Sequence, residues 1–294
     1  MSKSVIFGVG NAGCRTLNHI LDSGQWKKIT FFAVDTDRES LNSSKAHHKV
    51  FLSGKLRRHS GINGNSKVVR CAARQSMRDI DRYLVGVDTA FVVAGMGGVT
   101  GTGFAPVLAE TAREMGILTV GIAFLPFRLE GQRRLKVAHI GVENFKRSVD
   151  SMFVVDNEEL LKLVDEVPRQ AIQGITDLIG QNFDEVRSAL TGAGSTVMGI
   201  GFENGEERVE AAVQAAVNYP LDVPLELEAA SRVIVNITTG PGVKYDEVEH
   251  TMNTVSEKMK TDAKLVFGHI IDENVGDSVK VTLFSAFPNG YIMI

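Results

Sequence analysis

The sequence predicts an α/β protein in three parts: an N-terminal domain on a parallel sheet, a long central helix, and a smaller C-terminal α+β domain with a mixed sheet. Two observations carry this. Through the first half, Val/Ile-rich strand-like runs alternate with helically spaced apolar residues, the mark of βα units whose sheet is covered on both faces. After about residue 180 the alternation gives way to strands separated by only two long helical stretches.

Taken in order, the strand-like runs of the first half are "SVIFGV", "ITFFAV", "HKVFLS", "TAFVVAG", "ILTVGIAF" and "SMFVVD". Helical patterns lie between them, notably "SKVVRCAARQSMRDIDRYLV" and "GFAPVLAETAREMG". "RQAIQGITDLI" has few polar breaks and reads as a buried helix, and the preceding Val167-Pro168 suits a helical first turn. Beyond it, "GSTVMGIGF", "SRVIVNITTG", "KLVFGHIIDE" and "SVKVTLFSAF" read as strands, with helices around Glu206–Val217 and Tyr245–Lys260. The last two strands are separated by a short turn and are expected to form a hairpin. Domains are accordingly expected at residues 1–166, 167–181 and 182–294.

Composition narrows the function classes. A chain of 294 residues with 44% hydrophobic and 23% charged residues is ordinary for a soluble globular protein. The net charge of −3 offers no basic footprint, so nucleic acid is not an expected partner. Cys14 and Cys71 are too few for a disulfide framework and too isolated for a zinc site. No leader and no bilayer-length apolar run stands out, so a cytoplasmic location is expected.

Two glycine clusters point to phosphate. The first strand runs into Gly8-Val9-Gly10-Asn11-Ala12-Gly13, a G-x-G-x-x-G that opens a helix. Glycines there allow a tight turn, and the helix N-terminus offers free N–H groups and a partial positive charge. Asp35, at the end of the second strand, stands where a dinucleotide site has its ribose acid. The second cluster follows the fourth strand. Ala94 leads into Gly95, Gly97, Gly98, Val99, Thr100, Gly101, Thr102 and Gly103, directly before a helix. A dinucleotide enzyme needs no second phosphate cradle, whereas a nucleoside triphosphate does. No G-x-x-x-x-G-K-[ST] is present, so this is not a P-loop enzyme.

At this point the chain resembles a family. "GMGGVTGTG" is close to the G-G-G-T-G-T-G signature of the tubulin/FtsZ family of GTP-binding filament proteins, with FtsZ-type proteins the match in length. The resemblance runs through the whole chain in order. "GVGNAGCRTLN" is similar to the first phosphate loop and "FFAVDTDRESL" to the second, with Asp35 where asparagine is usual. "SGINGNSKVVR", with Gly61, resembles a shortened third loop. "PFRLEGQRR" places Glu130 and Arg134, and "VVDNEELL" places Asn157, at ribose- and base-side positions. "QAIQGITDLI" resembles the central helix between the two domains. The resemblance implies GTP or GDP as ligand, with Mg²⁺ a further component, and head-to-tail self-association as the partnership. Thr100 and Thr102 would donate hydroxyl hydrogen bonds to phosphate. Glu130 otherwise reads as a first-turn acid, Arg134 as a solvated helix face, and Asn157 as an N-cap.

The departures from the family pattern bear on base reading and catalysis. Asn11, Ala12, Arg15 and Val99 replace glycine or asparagine in the phosphate loops. The stretch Leu161–Ile172 is short, leaving Glu166 as the match to the base-reading carboxylate. In the family, a loop after the central helix of the next subunit orients the attacking water. Here that region is the clipped "LIGQNFDEVRSAL", which aligns Asn182 and Glu185 with the two acids and adds Asp184. Asn182 equally reads as the cap of the following helix. The resemblance therefore implies a weak GTPase in cell division or a related cytoskeletal role. Its rivals are a non-hydrolysing regulatory or scaffold protein of the same fold and, less well supported, an NAD-dependent oxidoreductase. A membrane-linked protein partner, if any, would dock elsewhere than on a C-terminal tail peptide. The apolar end Tyr291–Ile294 reads as either a strand or a contact.

Overall fold

The computed structural model describes residues 2–24, 26, 29–52, 73–75, 77, 78, 80–158, 166–218 and 225–287. Two compact units emerge, Met1–Arg169 and Gln170–Ile294.

In the first unit, apolar runs form strands β1 (Ser4–Val9), β2 (Ile29–Asp35), β3 (His48–Phe51), β4 (Thr89–Gly95), β5 (Leu118–Leu125) and β6 (Ser151–Asp156). They lie in the order β3-β2-β1-β4-β5-β6 and pair in parallel. The connecting helices include α1 (Gly10–Asp22), α2 (Arg38–Ser43), α3 (Asp81–Leu84), α4 (Val99–Glu114) and α5 (Gln132–Lys146). Strands β1, β2 and β4 are buried along nearly their whole length, so their unbroken apolar runs are what a sheet covered on both faces requires. Phe7 and Phe32 stack between neighbouring strands with centroids 4.8 Å apart. One feature of this order positions the site. The chain leaves β1 toward β2 on one side and leaves β4 toward β5 on the other, so the winding reverses between β1 and β4. Such a switch point opens a crevice at the carboxyl ends of the strands.

Helix α6 (Glu166–Gln181) crosses from the first unit into the second, with Pro168 in its first turn. It buries Ala171, Ile172, Ile175, Leu178 and Ile179, while Gln173, Thr176 and Asp177 are half-buried. It is therefore amphipathic rather than buried all round. A single residue separates it from α7 (Phe183–Leu190). The second unit continues with β7 (Gly194–Glu203), α8 (Arg208–Asn218), β8 (Arg232–Thr239), α9 (Tyr245–Glu257), β9 (Lys264–Ile271) and β10 (Val279–Phe287).

The expected hairpin of the last two strands is not formed. Within this unit the order is β7-β10-β8-β9, with β9 parallel to β8 and β10 antiparallel to both β7 and β8. The physical reason is α9. It makes β8-α9-β9 a crossover unit that lays β9 parallel on the outer side of β8. β10 then returns to the inner side of β8, where both its edges are paired. The first part of the helical stretch "SKVVRCAARQSMRDIDRYLV" falls outside the described residues, as do Gly61 and Tyr291–Ile294.

Asp177 gives α6 a pH signature. Burial, against the opposing help of Gln173 and Lys280, pushes its carboxyl up to about 6; Asp272 adds to the rise. Gln173 Nε2 donates to Asp177 Oδ1 at 2.6 Å. The folded state thus favours the protonated acid, so stability falls as pH rises from about 4 to about 6 and is level above. Asp177→Asn should remove that fall and stabilise the protein at pH 7 by about 1–3 kcal/mol. Urea melts of both proteins between pH 4 and 8 check this.

Candidate functional site

The crevice at the switch point is floored by the two glycine clusters. Gly8 and Gly13 sit back to back, because a Cβ on Gly8 would meet the Gly13 carbonyl oxygen at 2.6 Å. A Cβ on Gly13 would lie 2.4 Å from the Val93 carbonyl oxygen, which seats α1 against β4. On the other side, Gly101 packs so closely that a Cβ there would come within 2.1 Å of the Gly95 carbonyl oxygen. Gly10, at φ +74°, faces Thr100 and Gly101: a Cβ there would stand 3.5 Å from the Thr100 Cβ and the Gly101 nitrogen. The N-termini of α1 and α4 are thereby brought side by side. Ala12 does not disturb this packing: it stands against Gly95, whose missing Cβ leaves it room.

Helix α4 begins at Val99, earlier than the glycine pattern suggested. Thr100, Gly101, Thr102 and Gly103 are its first turns, and only Met96 to Gly98 form loop. Gly98 is the N-cap and supplies no side chain; the first helical bond is Thr102 N–H to Gly98 O at 3.2 Å. The first-turn N–H groups of α1 are likewise uncapped by any side chain, and neither first turn carries an acid. Two uncompensated helix N-termini form a place for an anion, with backbone N–H groups as donors.

The threonine hydroxyls are engaged within the protein. Thr102 Oγ1 accepts from Gly97 N–H at 2.9 Å and holds that glycine at φ +87°. Thr100 Oγ1 donates to Asp35 Oδ1 at 3.2 Å and shares a 3.0 Å hydrogen bond with Thr36 Oγ1. Donation to phosphate by Thr100 would need its bond to Asp35 to rearrange, whereas Thr102, an acceptor here, keeps its own hydroxyl proton to give. Thr36 escaped the sequence reading. Its place directly after Asp35, in the second loop, was the available signal. Asp35 is 2% exposed and turned toward Thr100, not open at the crevice edge as a ribose acid needs to be. Beside it, burial and then the charge of Asp35 push the Cys14 thiol up to about 12, so that thiol is inert at neutral pH.

Of the remaining candidates, Glu130 and Arg134 lie beside the second glycine loop. Glu130 ties the loop, accepting from Phe127 N–H at 2.9 Å and pairing with Arg134 at 2.9 Å. Arg134 in turn lies across Gly97, where a Cβ would meet its Cγ at 2.8 Å. Asn11 and Arg15 are exposed on α1, and Val99 is half-buried at the start of α4. The side-chain oxygen Oδ1 of Asn157 is buried without a hydrogen-bond partner. Glu166 pairs with Arg169, whose Nε donates to it at 2.9 Å. In the second unit Asn182 is the N-cap of α7, accepting from Glu185 N–H at 3.3 Å; Asp184 and Glu185 are exposed first-turn acids. Among the described residues no cluster of three or more His, Cys, Asp or Glu side chains is placed to hold a metal. None of the described helices is long and apolar enough to cross a membrane.

A switch-point crevice with two apposed, uncapped helix N-termini and, among the described residues, no lysine is an anion-site architecture outside the P-loop and dinucleotide patterns. The comparisons specify it further. The model of the tubulin/FtsZ family GTPase domain matches residues 3–165, and that of the FtsZ family C-terminal domain matches residues 194–286. The chain belongs to the tubulin/FtsZ family, as a divergent FtsZ-like member. A structure of an empty FtsZ dimer from M. jannaschii is 31% identical, covering 98% of this chain and 89% of that one, at a TM-score of 0.85. A point mutant of M. jannaschii FtsZ is 32% identical, covering 97% and 91%, at 0.84. CetZ2 of Haloferax volcanii, solved as a GTPγS-bound protofilament, shares the fold at 21% identity, covering 97% and 93%, with a TM-score of 0.78.

The glycines of the second loop divide into two kinds, which stability measurements can separate. Gly101→Ala forces a Cβ into backbone and should cost about 1–3 kcal/mol, as overpacking does. Gly98 has an ordinary φ of −91° and nothing within 4 Å of its would-be Cβ. Gly98→Ala should therefore cost less than about 1 kcal/mol, the scale of an altered N-cap. Thermal or urea melts of the two variants check the contrast.

Proposed function

We propose that this protein binds GTP and GDP in the crevice between β1 and β4 and self-associates head to tail into filaments, with slow GTP hydrolysis. The observation that carries the reading is the apposition of two uncapped helix N-termini at Gly10 and Gly101. A triphosphate is the ligand that needs two such ends at once, and backbone donors suit it where no lysine is near. Membership of the tubulin/FtsZ family supports guanine nucleotide, and the unpartnered oxygen of Asn157 supports a base edge that donates hydrogen bonds there. Mg²⁺ fits the same reading, as a hard cation with oxygen ligands that supplies charge neutralisation to phosphate. Expected binding is tight for GTP and GDP, weaker for ATP and absent for NAD, with Gly98→Ala weakening GTP at least tenfold, on the scale of a lost backbone approach to phosphate. Equilibrium titration measures all of these. NAD binding without GTP binding would overturn the reading.

Assembly and hydrolysis follow the family arrangement, in which the second domain of one subunit meets the nucleotide of the next. The FtsZ dimer and the CetZ2 protofilament among the similar structures support association between copies. Asp184 and Glu185, exposed at the start of α7, are the groups we assign to orienting the attacking water, with Asn182 holding the turn that carries them. A carboxylate on this short segment positions water less well, and weakened positioning costs on the order of a hundredfold in rate. Light scattering should report assembly with GTP and Mg²⁺. Phosphate release should be slow and fall further in Glu185→Ala or Asp184→Ala. A strictly monomeric species, or fast turnover indifferent to both substitutions, would contradict this account. Division and related membrane remodelling are the cellular roles that such filaments serve.

A further inference from the structure

Charge is divided unequally between the two units. Residues 1–169 hold 24 lysines and arginines against 17 aspartates and glutamates, a net of +7, whereas residues 170–294 hold 8 against 18, a net of −10. The cationic side has a focus on α5. Ala138, Gly141 and Phe145 are the inward face of that helix. On the opposite face Arg133, Lys136, Ile140, Glu143 and Arg147 recur at three- and four-residue spacing, all of them exposed. Ile140 stands among these charges 41% exposed. Among the described residues, none of the three cations has an ion-pair partner. By itself this is an ordinary solvated helix face; what sets it apart is a matching surface on the second unit.

That surface is a cavity of about 610 Å³ where the C-terminal ends of α8 and α9 meet the turn Leu227–Ala229. Val217, Leu225 and Leu227 are its buried apolar floor. Glu226, Glu228 and Glu257 are exposed in its walls, with Lys258 beside them. Among the described residues these three acids have no ion-pair partner either. The volume is that of a site that takes a sizeable guest. An apolar floor under acidic walls suits an apolar side chain flanked by cations, since opposed surface charges fix register and partner. The α5 face is such a guest, with three cations and one acid against three acids and one cation.

We propose that the α5 face of one copy docks into the α8–α9 cavity of a second copy. Ile140 enters the apolar floor, and Arg133, Lys136 and Arg147 meet Glu226, Glu228 and Glu257. The contact uses neither glycine loop, nor Asp184 and Glu185, so it goes beyond the head-to-tail association proposed above and needs no nucleotide. Its charges lie at the surface, so salt screens it.

Sedimentation velocity of the full chain in GDP, at about 100 µM protein and about 50 or 500 mM KCl, is the test. The wild type should associate at low salt and dissociate at high salt, and Ile140→Asp should abolish the low-salt association. Lys136→Glu with Arg147→Glu should weaken it at least tenfold, and so should Glu228→Lys with Glu257→Lys, the scale of several reversed surface pairs. An equimolar mixture of the two double variants should regain it, because each then offers the charge that the other needs. Regain in the mixture also shows that both variants are folded. Double variants that associate like the wild type, or a mixture that stays apart, overturn the proposal. So does a wild type that is monomeric at low salt, which leaves the cavity to another guest. GTP affinity should match the wild type in every variant, so failure of this contact and failure of the GTP reading are seen separately.

Discussion

The approach of Gly101 to the Gly95 carbonyl oxygen is the contact on which the site depends. A β-carbon at Gly101 would stand 2.1 Å from that oxygen, so the first turn of α4 can lie over the end of β4 only while this position has no side chain. The same logic at Gly13, 2.4 Å from the Val93 carbonyl oxygen, sets α1 against β4 from the other side. These two absences bring the helix N-termini together across the switch point of the sheet. The sheet supplies the crevice, since β1 and β4 are neighbours whose connections leave in opposite directions.

From that geometry comes the way the site handles charge. Where lysine is absent, the positive potential comes from oriented peptide dipoles and first-turn N–H groups, which are fixed in place before any ligand arrives. The threonines serve the loop: Thr102 holds Gly97 in its left-handed conformation, and Thr100 fastens α4 to the end of β2 through Asp35. Arg134, beside the second glycine loop, is paired with Glu130. Asp35 is at odds with an anion site: it is a buried carboxylate whose second oxygen has no hydrogen-bond partner.

Much of the first unit was legible in the sequence because its strands are buried on both faces. Unbroken runs such as "TAFVVAG" have no competing interpretation when they alternate with helices. The glycine clusters fall at the carboxyl ends of β1 and β4, and Val99 to Thr102 prove to be helix, so α4 starts ahead of the predicted "GFAPVLAETAREMG". Glycine is poor in helix propensity, so five glycines in nine residues suggest loop, and close packing overrides that preference here. The order of the second unit was not legible. A short turn between "KLVFGHIIDE" and "SVKVTLFSAF" suggests local pairing, but the crossover through α9 commits β9 to β8. Nor could sequence reveal that Thr100 donates to Asp35, or that Thr36 joins them. Those are contacts between loops distant along the chain. Asn182 had two readings, and its capping bond to Glu185 N–H realises one of them.

The central claim is that backbone N–H groups at two helix N-termini receive the phosphates. Amide hydrogen exchange, followed residue by residue with and without GDP and Mg²⁺, addresses it directly. The account predicts that added nucleotide slows exchange at Gly10 to Gly13 and at Gly97 to Gly101 together, above any general stabilisation of the first unit. Protection confined to one of the two loops, or centred elsewhere in the chain, would contradict it.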